Sequence, residues 1–170
     1  MNGCVINSNA SIGQNCIINS NSVIEHEVKI ESHVHIAPSA IILGNATIKE
    51  GTFVGAGTII REGVTIKKNT RVQSHSFICE GVEVGEECVI GHGVMFINDT
   101  YSNGKPAGGN KELWKQTCIS NRVFIGSNAT ILPINICSDV VIGAGSVVTR
   151  DIIKPGKYAG NPAKLLSSRK

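Results

Sequence analysis

With 170 residues, a net charge of +3, 19 glycines and only 4% aromatic residues, the chain has the length of one domain and the composition of a repetitive β architecture. No run of about 18 apolar residues marks a membrane span, and no basic run with interleaved aromatics marks a nucleic-acid surface. The start, MNGCVINSNAS, lacks the basic and apolar segments of a signal peptide, so a cytoplasmic protein is expected.

From Ile6 onward an aliphatic residue recurs at every sixth position through Ile90, and Phe96 follows in step. Four residues after each comes a smaller slot, filled by Ala10, Cys16, Ser22, Val28 and so on to Val94. A period of six with this pattern predicts a parallel β-helix. Each unit supplies a short strand and a corner, and three units close a triangular coil. Stacked coils pair strand on strand at roughly 4.8 Å, so each buries its apolar residues against its neighbours. Cys4, Cys16 and Cys88 fall in the small inward slot, where a free thiol acts as a compact hydrophobe. Cys79, Cys118 and Cys137 fall elsewhere in the unit and take no role from the pattern. No pair is spaced CxxC, so neither a metal site nor a disulfide framework is assigned.

The residue three after each aliphatic position needs a left-handed backbone, which favours Gly or Asn. Between Asn9 and Gly93 the exceptions are Glu27, His33, Ser39, His75 and Glu87. Local rules are most often broken at functional sites. Two places stand out: the EHE corner at Glu25, His26 and Glu27, with His33 and His35 soon after, and the corner at His75. One coil separates Val72 from Ile90, so His75 and His92 share one ledge on consecutive coils. The turns of that corner read Gly55-Ala56-Gly57, Gln73-Ser74-His75, Gly91-His92-Gly93, Gly126-Ser127-Asn128 and Gly143-Ala144-Gly145. Exposed backbone along such a column suits a long, thin ligand.

After Phe96 the register is lost, and it returns at Ile119, Ile125 and Ile131, skips one residue to Ile136, and continues through Ile142 and Val148. The interval, INDTYSNGKPAGGNKELWKQTC (97–118), is an excursion loop that leaves the next corner and carries the only Trp, Trp114. Long loops on solenoids often carry function. Trp114 either lies over a ligand or pins the loop. The domain expectation is a β-helix over 1–150 and a short cap and tail over 151–170.

These features resemble the hexapeptide-repeat acyltransferases, and the resemblance covers nearly the whole chain. It implies a left-handed parallel β-helix, an all-β fold with one excursion loop and a short C-terminal cap, assembled as a homotrimer. It also implies acetyl-CoA lying in a groove between subunits. From Ser22 to Gly57 the chain is similar to the sialic-acid O-acetyltransferase, perosamine and bacillosamine N-acetyltransferase group. There the histidine matching His26 is the base and the one matching His35 meets the acetyl donor. His26 and His35 are half a coil apart, so they would cooperate only across a subunit interface. From Val64 to the end, VTIKKNTRVQSHSF, GSNATILP, VIGAGSVVTRDI and GNPAKLL resemble the N-acetyltransferases of nucleotide-linked amino sugars for surface polysaccharides. In that group an Asn often stands where this chain has His75.

The resemblance implies acetyl transfer from acetyl-CoA to an amino group of a nucleotide-linked deoxy-amino sugar, with sugar O-acetylation as the alternative. Acyl transfer needs a nucleophile, a proton acceptor and donors for the oxyanion. A neutral imidazole suits the acceptor at cellular pH. His75 is assigned as base or orienter, His92 as its partner or an oxyanion donor, and Asn98 as a positioning group at the loop root, with His26 and Glu27 as the alternative pair. Gly126, Ser127 and Ala144 are assigned to pantetheine and Lys164 and Arg169 to phosphates, with His35 and Gly44 as alternatives. Two other classes stay open. A zinc carbonic-anhydrase-like site would take three of the five histidines across an interface, and a non-catalytic solenoid would leave the corner histidines as plain surface.

Overall fold

A computed structural model describes residues 2–168. Almost every strand is two residues long, and the strands stack into three parallel sheets that form the faces of a triangular left-handed solenoid. The first face runs from Val5–Ile6 to Val147–Val148 in eight strands. The second runs from Ser11–Ile12 to Asn135–Ile136 in seven. The third has nine, from Ile17–Ile18 through Val140–Ile142 to a terminal pair, Gly156–Ala159 and Lys164–Ser168. Pairing follows the period in the sequence: Ile24 meets Ile42 and Val72 meets Ile90.

From Ile24 onward the aliphatic positions point inward and are closed off from solvent, with Ile36, Ile60 and Ile90 all fully buried, whereas Ile6 and Ile12 of the first coil are exposed. The small slot is more than a space-filler. Thr52, Thr58, Thr70 and Ser76 are buried there, and each hydroxyl donates to a carbonyl of the next coil, from Lys67, Gln73, Gly85 and Gly91, at 2.7 to 3.1 Å. These four hydroxyls are thereby satisfied, whereas the buried Thr117 Oγ1 has no partner among the described residues. Cys88 behaves the same way, its Sγ donating to the Ser120 carbonyl at 3.1 Å. Cys79 is also buried, and desolvation pushes its thiol up to about 12. Cys118 is exposed on the second face between Glu83 and Asn135.

All the corner positions from Asn9 to Gly93 have positive φ, including the five that carry neither Gly nor Asn: Glu27 61°, His33 60°, Ser39 59°, His75 60° and Glu87 56°. A side chain there costs roughly 1–2 kcal/mol relative to glycine. The cost is common to all five, so backbone geometry alone does not separate the functional corners from the others. Their side chains and neighbours have to do that.

The chain leaves the solenoid after Phe96 and rejoins it at Thr117–Ile119, which pairs with Val82–Val84. The skipped residue falls in the turn containing Pro133, so that Ile136 still stacks on Ile119. The boundary expected at 150 lies inside a continuing coil. Ile152 bridges to Ile136, Gly156–Ala159 pairs with Val140–Ile142, and Val147 exchanges backbone hydrogen bonds with Gly160 and Ala163. Only Lys164–Ser168 departs, turning back antiparallel on the strand before it. Among the described residues no helix is long and apolar enough to cross a membrane.

Candidate functional site

Three columns of turns run along the solenoid, one at each edge. The corner between the third face and the first carries His75 and His92, and it is the smooth column expected from the sequence. Its backbone forms a ladder: His75 N–H donates to Ala56 O, Gly93 N–H to Ser74 O, Asn128 N–H to His92 O and Gly145 N–H to Ser127 O, at 2.8 to 3.0 Å. The glycines have a packing cause. A Cβ at Gly55 would lie 2.4 Å from Ser74 N, one at Gly91 2.6 Å from Ser127 N, and one at Gly126 2.4 Å from Ala144 N. The next coil's backbone passes where a side chain would begin.

His75 and His92 stand on consecutive coils, but they serve opposite neighbours. The His75 ring lies back over Gly57, where a Cβ would come within 2.6 Å of Nδ1 and 2.8 Å of Cε1. Gly57 therefore makes room for the imidazole. The His75 side chain is exposed and its ring accepts or donates no hydrogen bond among the described residues. His92, also exposed, lines a groove of about 420 Å³ with Gln73, Gly91, Phe124, Gly126 and Ser127. The groove thus unites three of the residues picked from the sequence, His92, Gly126 and Ser127, and Ala144 continues the same corner one coil further on. Lys164 is elsewhere, in a hollow of about 380 Å³ at the C-terminal end with Arg150, Tyr158 and Pro162. Arg169 lies outside the described residues.

Asn98 is not on this ledge. It follows Met95–Phe96 and so belongs to the corner between the first and second faces, where its Nδ2 donates to Glu80 O at 3.2 Å. The same corner carries the EHE turn. There the His26 ring packs on Gly44, with Cε1 2.9 Å from where a Cβ would sit, and Glu27 accepts from Asn9 Nδ2 at 2.7 Å. The excursion loop is fixed here too, by Lys111 to Glu80 at 2.7 Å, and within the loop the Asp99 carboxylate accepts from Tyr101 and Ala107 N–H. Trp114 lines a small hollow with Glu80, Gly81 and Lys111. His35 lies on the third face, across the solenoid from His26, with Nε2 2.8 Å from Asn19 Nδ2. His33 is exposed at the remaining corner. Among the described residues no three His, Cys, Asp or Glu side chains converge as a metal site.

Residues 1–103 match the family described as the GMPPB C-terminal domain, and residues 116–150 match the hexapeptide repeat of succinyl-transferase. The chain is a hexapeptide-repeat protein of the GMPPB C-terminal domain family. This hexapeptide-repeat protein is 34% identical over 87 residues to serine acetyltransferase 2 of Arabidopsis thaliana, an alignment covering 51% of the chain and 26% of that relative. It spans about a quarter or less of the curated relatives it matches. Among solved structures, UDP-N-acetylglucosamine acyltransferase from Campylobacter jejuni superposes with a TM-score of 0.79 at 15% identity, covering 98% of this chain and 71% of that one. The Bacillus cereus N-acyltransferase AntD, in complex with dTDP-4-amino-4,6-dideoxyglucose and coenzyme A, gives 0.58 at 20% identity, covering 96% and 85%. At these identities the structural likeness shows the fold.

One feature of the third face escaped the sequence reading. Outward residues recur one position before each aliphatic residue, and on this face the column reads Ile17, His35, Phe53, Arg71, Val89, Phe124, Val141. His35 meets Phe53 edge-on at 5.2 Å, and the Arg71 guanidinium lies 4.6 Å above the Phe53 ring. The signal was available in the spacing, since these residues stand one coil apart.

Proposed function

We propose that this chain is an acyltransferase that moves an acetyl group directly from acetyl-CoA to an amino group of a nucleotide-linked deoxy-amino sugar. The observation that carries the reading is the smooth corner at which the exposed His75 stands one coil from the groove of His92, Gly126 and Ser127. Thin, backbone-lined surface suits the pantetheine arm, and the imidazoles mark where its thioester would stop. AntD is described with a nucleotide-linked amino sugar and coenzyme A, and the Campylobacter acyltransferase is named for a nucleotide-linked sugar.

In this mechanism the sugar amine, once neutral, attacks the thioester carbonyl. The C–N bond forms, the oxyanion collapses, the C–S bond breaks, and the amine's proton ends on the CoA thiolate. His75 accepts that proton first, and an N–H of His92 or of the corner backbone donates to the oxyanion. We place the reaction in the cytoplasm and in a homotrimer, whose adjacent subunit closes the groove. The second reading is sugar O-acetylation at the EHE corner, favoured by the fixed Glu27 carboxylate beside His26.

Acetyl transfer to a panel of nucleotide-linked amino sugars, measured for His75→Ala and His26→Ala in parallel, separates the two. Loss of turnover by about 100-fold or more in His75→Ala alone is expected. The same loss in His26→Ala alone would move the chemistry to the EHE corner.

A further inference from the structure

The third face holds an arginine without a polar partner among the described residues. Arg61 pairs with Glu62 and Arg122 with Asp139, both at 2.9 Å or closer. Arg71 has no carboxylate and no hydrogen-bond acceptor among the described residues, only the Phe53 ring beneath it. A guanidinium carries five donors in a planar fork that matches phosphate oxygens. Stacking on an aromatic face holds that fork in place without using any of those donors.

Its position is equally telling. Arg71 is the strand neighbour of Val89, which lines the groove, and it begins the same strand and turn that ends in His75. If the donor lies along Gly126, Ser127 and Ala144, it reaches the histidines from the C-terminal coils. The side left for the acceptor is the N-terminal one, where Phe53 and Arg71 stand.

We propose that Arg71, seated on Phe53, binds the phosphate of the nucleotide-linked acceptor and so helps to select a phosphorylated sugar carrier over a free sugar. This rests on the acyltransferase reading. Phe53 holds the guanidinium in place and offers a flat surface beside it, and the diphosphate accepts from the fork. The acetyl donor also carries phosphates, so the test has to tell the two sources apart.

Calorimetric titration of the full chain with UDP or dTDP and, separately, with coenzyme A makes that distinction without any turnover. Arg71→Ala is expected to weaken the nucleoside diphosphate at least about tenfold, as loss of charge-assisted hydrogen bonds does, and to leave coenzyme A unchanged. Arg71→Lys should recover part of the loss, since it keeps the charge without the fork. Phe53→Leu should weaken the same ligand by a smaller factor. The proposal is overturned if Arg71→Ala binds the diphosphate as the unaltered chain does, if it loses coenzyme A instead, or if native mass shows that the variant has dissociated. An unaltered chain that binds coenzyme A but no nucleoside diphosphate also overturns it, whereas one that binds no coenzyme A removes the acyltransferase reading itself.

Discussion

Two edges of the solenoid have the same backbone and opposite chemistry. The corner between the second and third faces is a run of matched charges: Glu31 with Lys49 at 2.7 Å, Glu50 with Lys68 at 3.3 Å, and Arg122 held by both oxygens of Asp139. The corner between the third and first faces has small turn residues and two histidines whose rings have no such partners. Both use the same positive-φ turn, and both place an imidazole in it, His33 at one and His75 at the other. Side chains satisfied by their neighbours make a solvated edge. Side chains left unsatisfied beside bare backbone make a place for a ligand.

The sharpest way to break this contrast is to remove both imidazoles in turn. His75→Ala should lower acetyl-transfer turnover by about 100-fold or more, while His33→Ala, with the same backbone, should leave it unchanged. Equal effects would show that the turn, and not its location, matters. Next comes packing. Gly126→Ala sets a Cβ 2.4 Å from Ala144 N, and such overpacking destabilises by about 1–3 kcal/mol, so the thermal midpoint should fall by several degrees. Gly63→Asn is its control, because that left-handed position has nothing within 4 Å of a Cβ and Asn is the other residue the turn accepts. Its midpoint should hold.

A smaller effect is expected from the charged edge. Hydrogen bonds from Lys49 and the Glu50 N–H hold the Glu31 carboxyl below its ordinary value of 4.5. A depressed folded-state pKa gives stability that is present above that ordinary value and is lost as the pH falls through the lowered one. Acid unfolding of Glu31→Gln should therefore be less pH-dependent below about pH 4.5 than that of the unaltered chain. Because the pair is half exposed and screened by solvent, the difference should be slight and should shrink with salt. Least of all, Arg122→Ala should change neither turnover nor coenzyme A binding, and kinetic assay of that variant alone checks it.

The fold was legible because a period of six allows little else: the aliphatic positions, the inward Thr and Cys slots, the skipped residue before Ile136 and the loop after Phe96 all follow from counting. The tail was not. Residues after 150 drop the aliphatic repeat yet pair with Ile136 and with Val140–Ile142, because backbone hydrogen bonds do not require a period. The ledge of His75 and His92 was legible to the level of the coil, but the lean of the His75 ring depends on the neighbour one coil back, Gly57, being glycine. Asn98 was assigned as a positioning group at the loop root, and the two-residue strand before it places that root at another edge than the histidine ledge. Arg71 was passed over because inward positions were read and outward ones were not.

The bond from the Cys88 thiol to Ser120 O, with Val89 N–H donating to Val123 O, spans the whole excursion at ordinary distances. Coil follows coil there as though Asp99 to Gln116 were absent, Ile97 still donating its N–H to Ile131 O. The loop is therefore an appendage clipped on at Glu80 by Lys111: its length can change without altering the arithmetic of the solenoid beneath. Such an insertion point is where a scaffold of this kind can acquire new recognition by exchange of one segment, while its interior stays as it is.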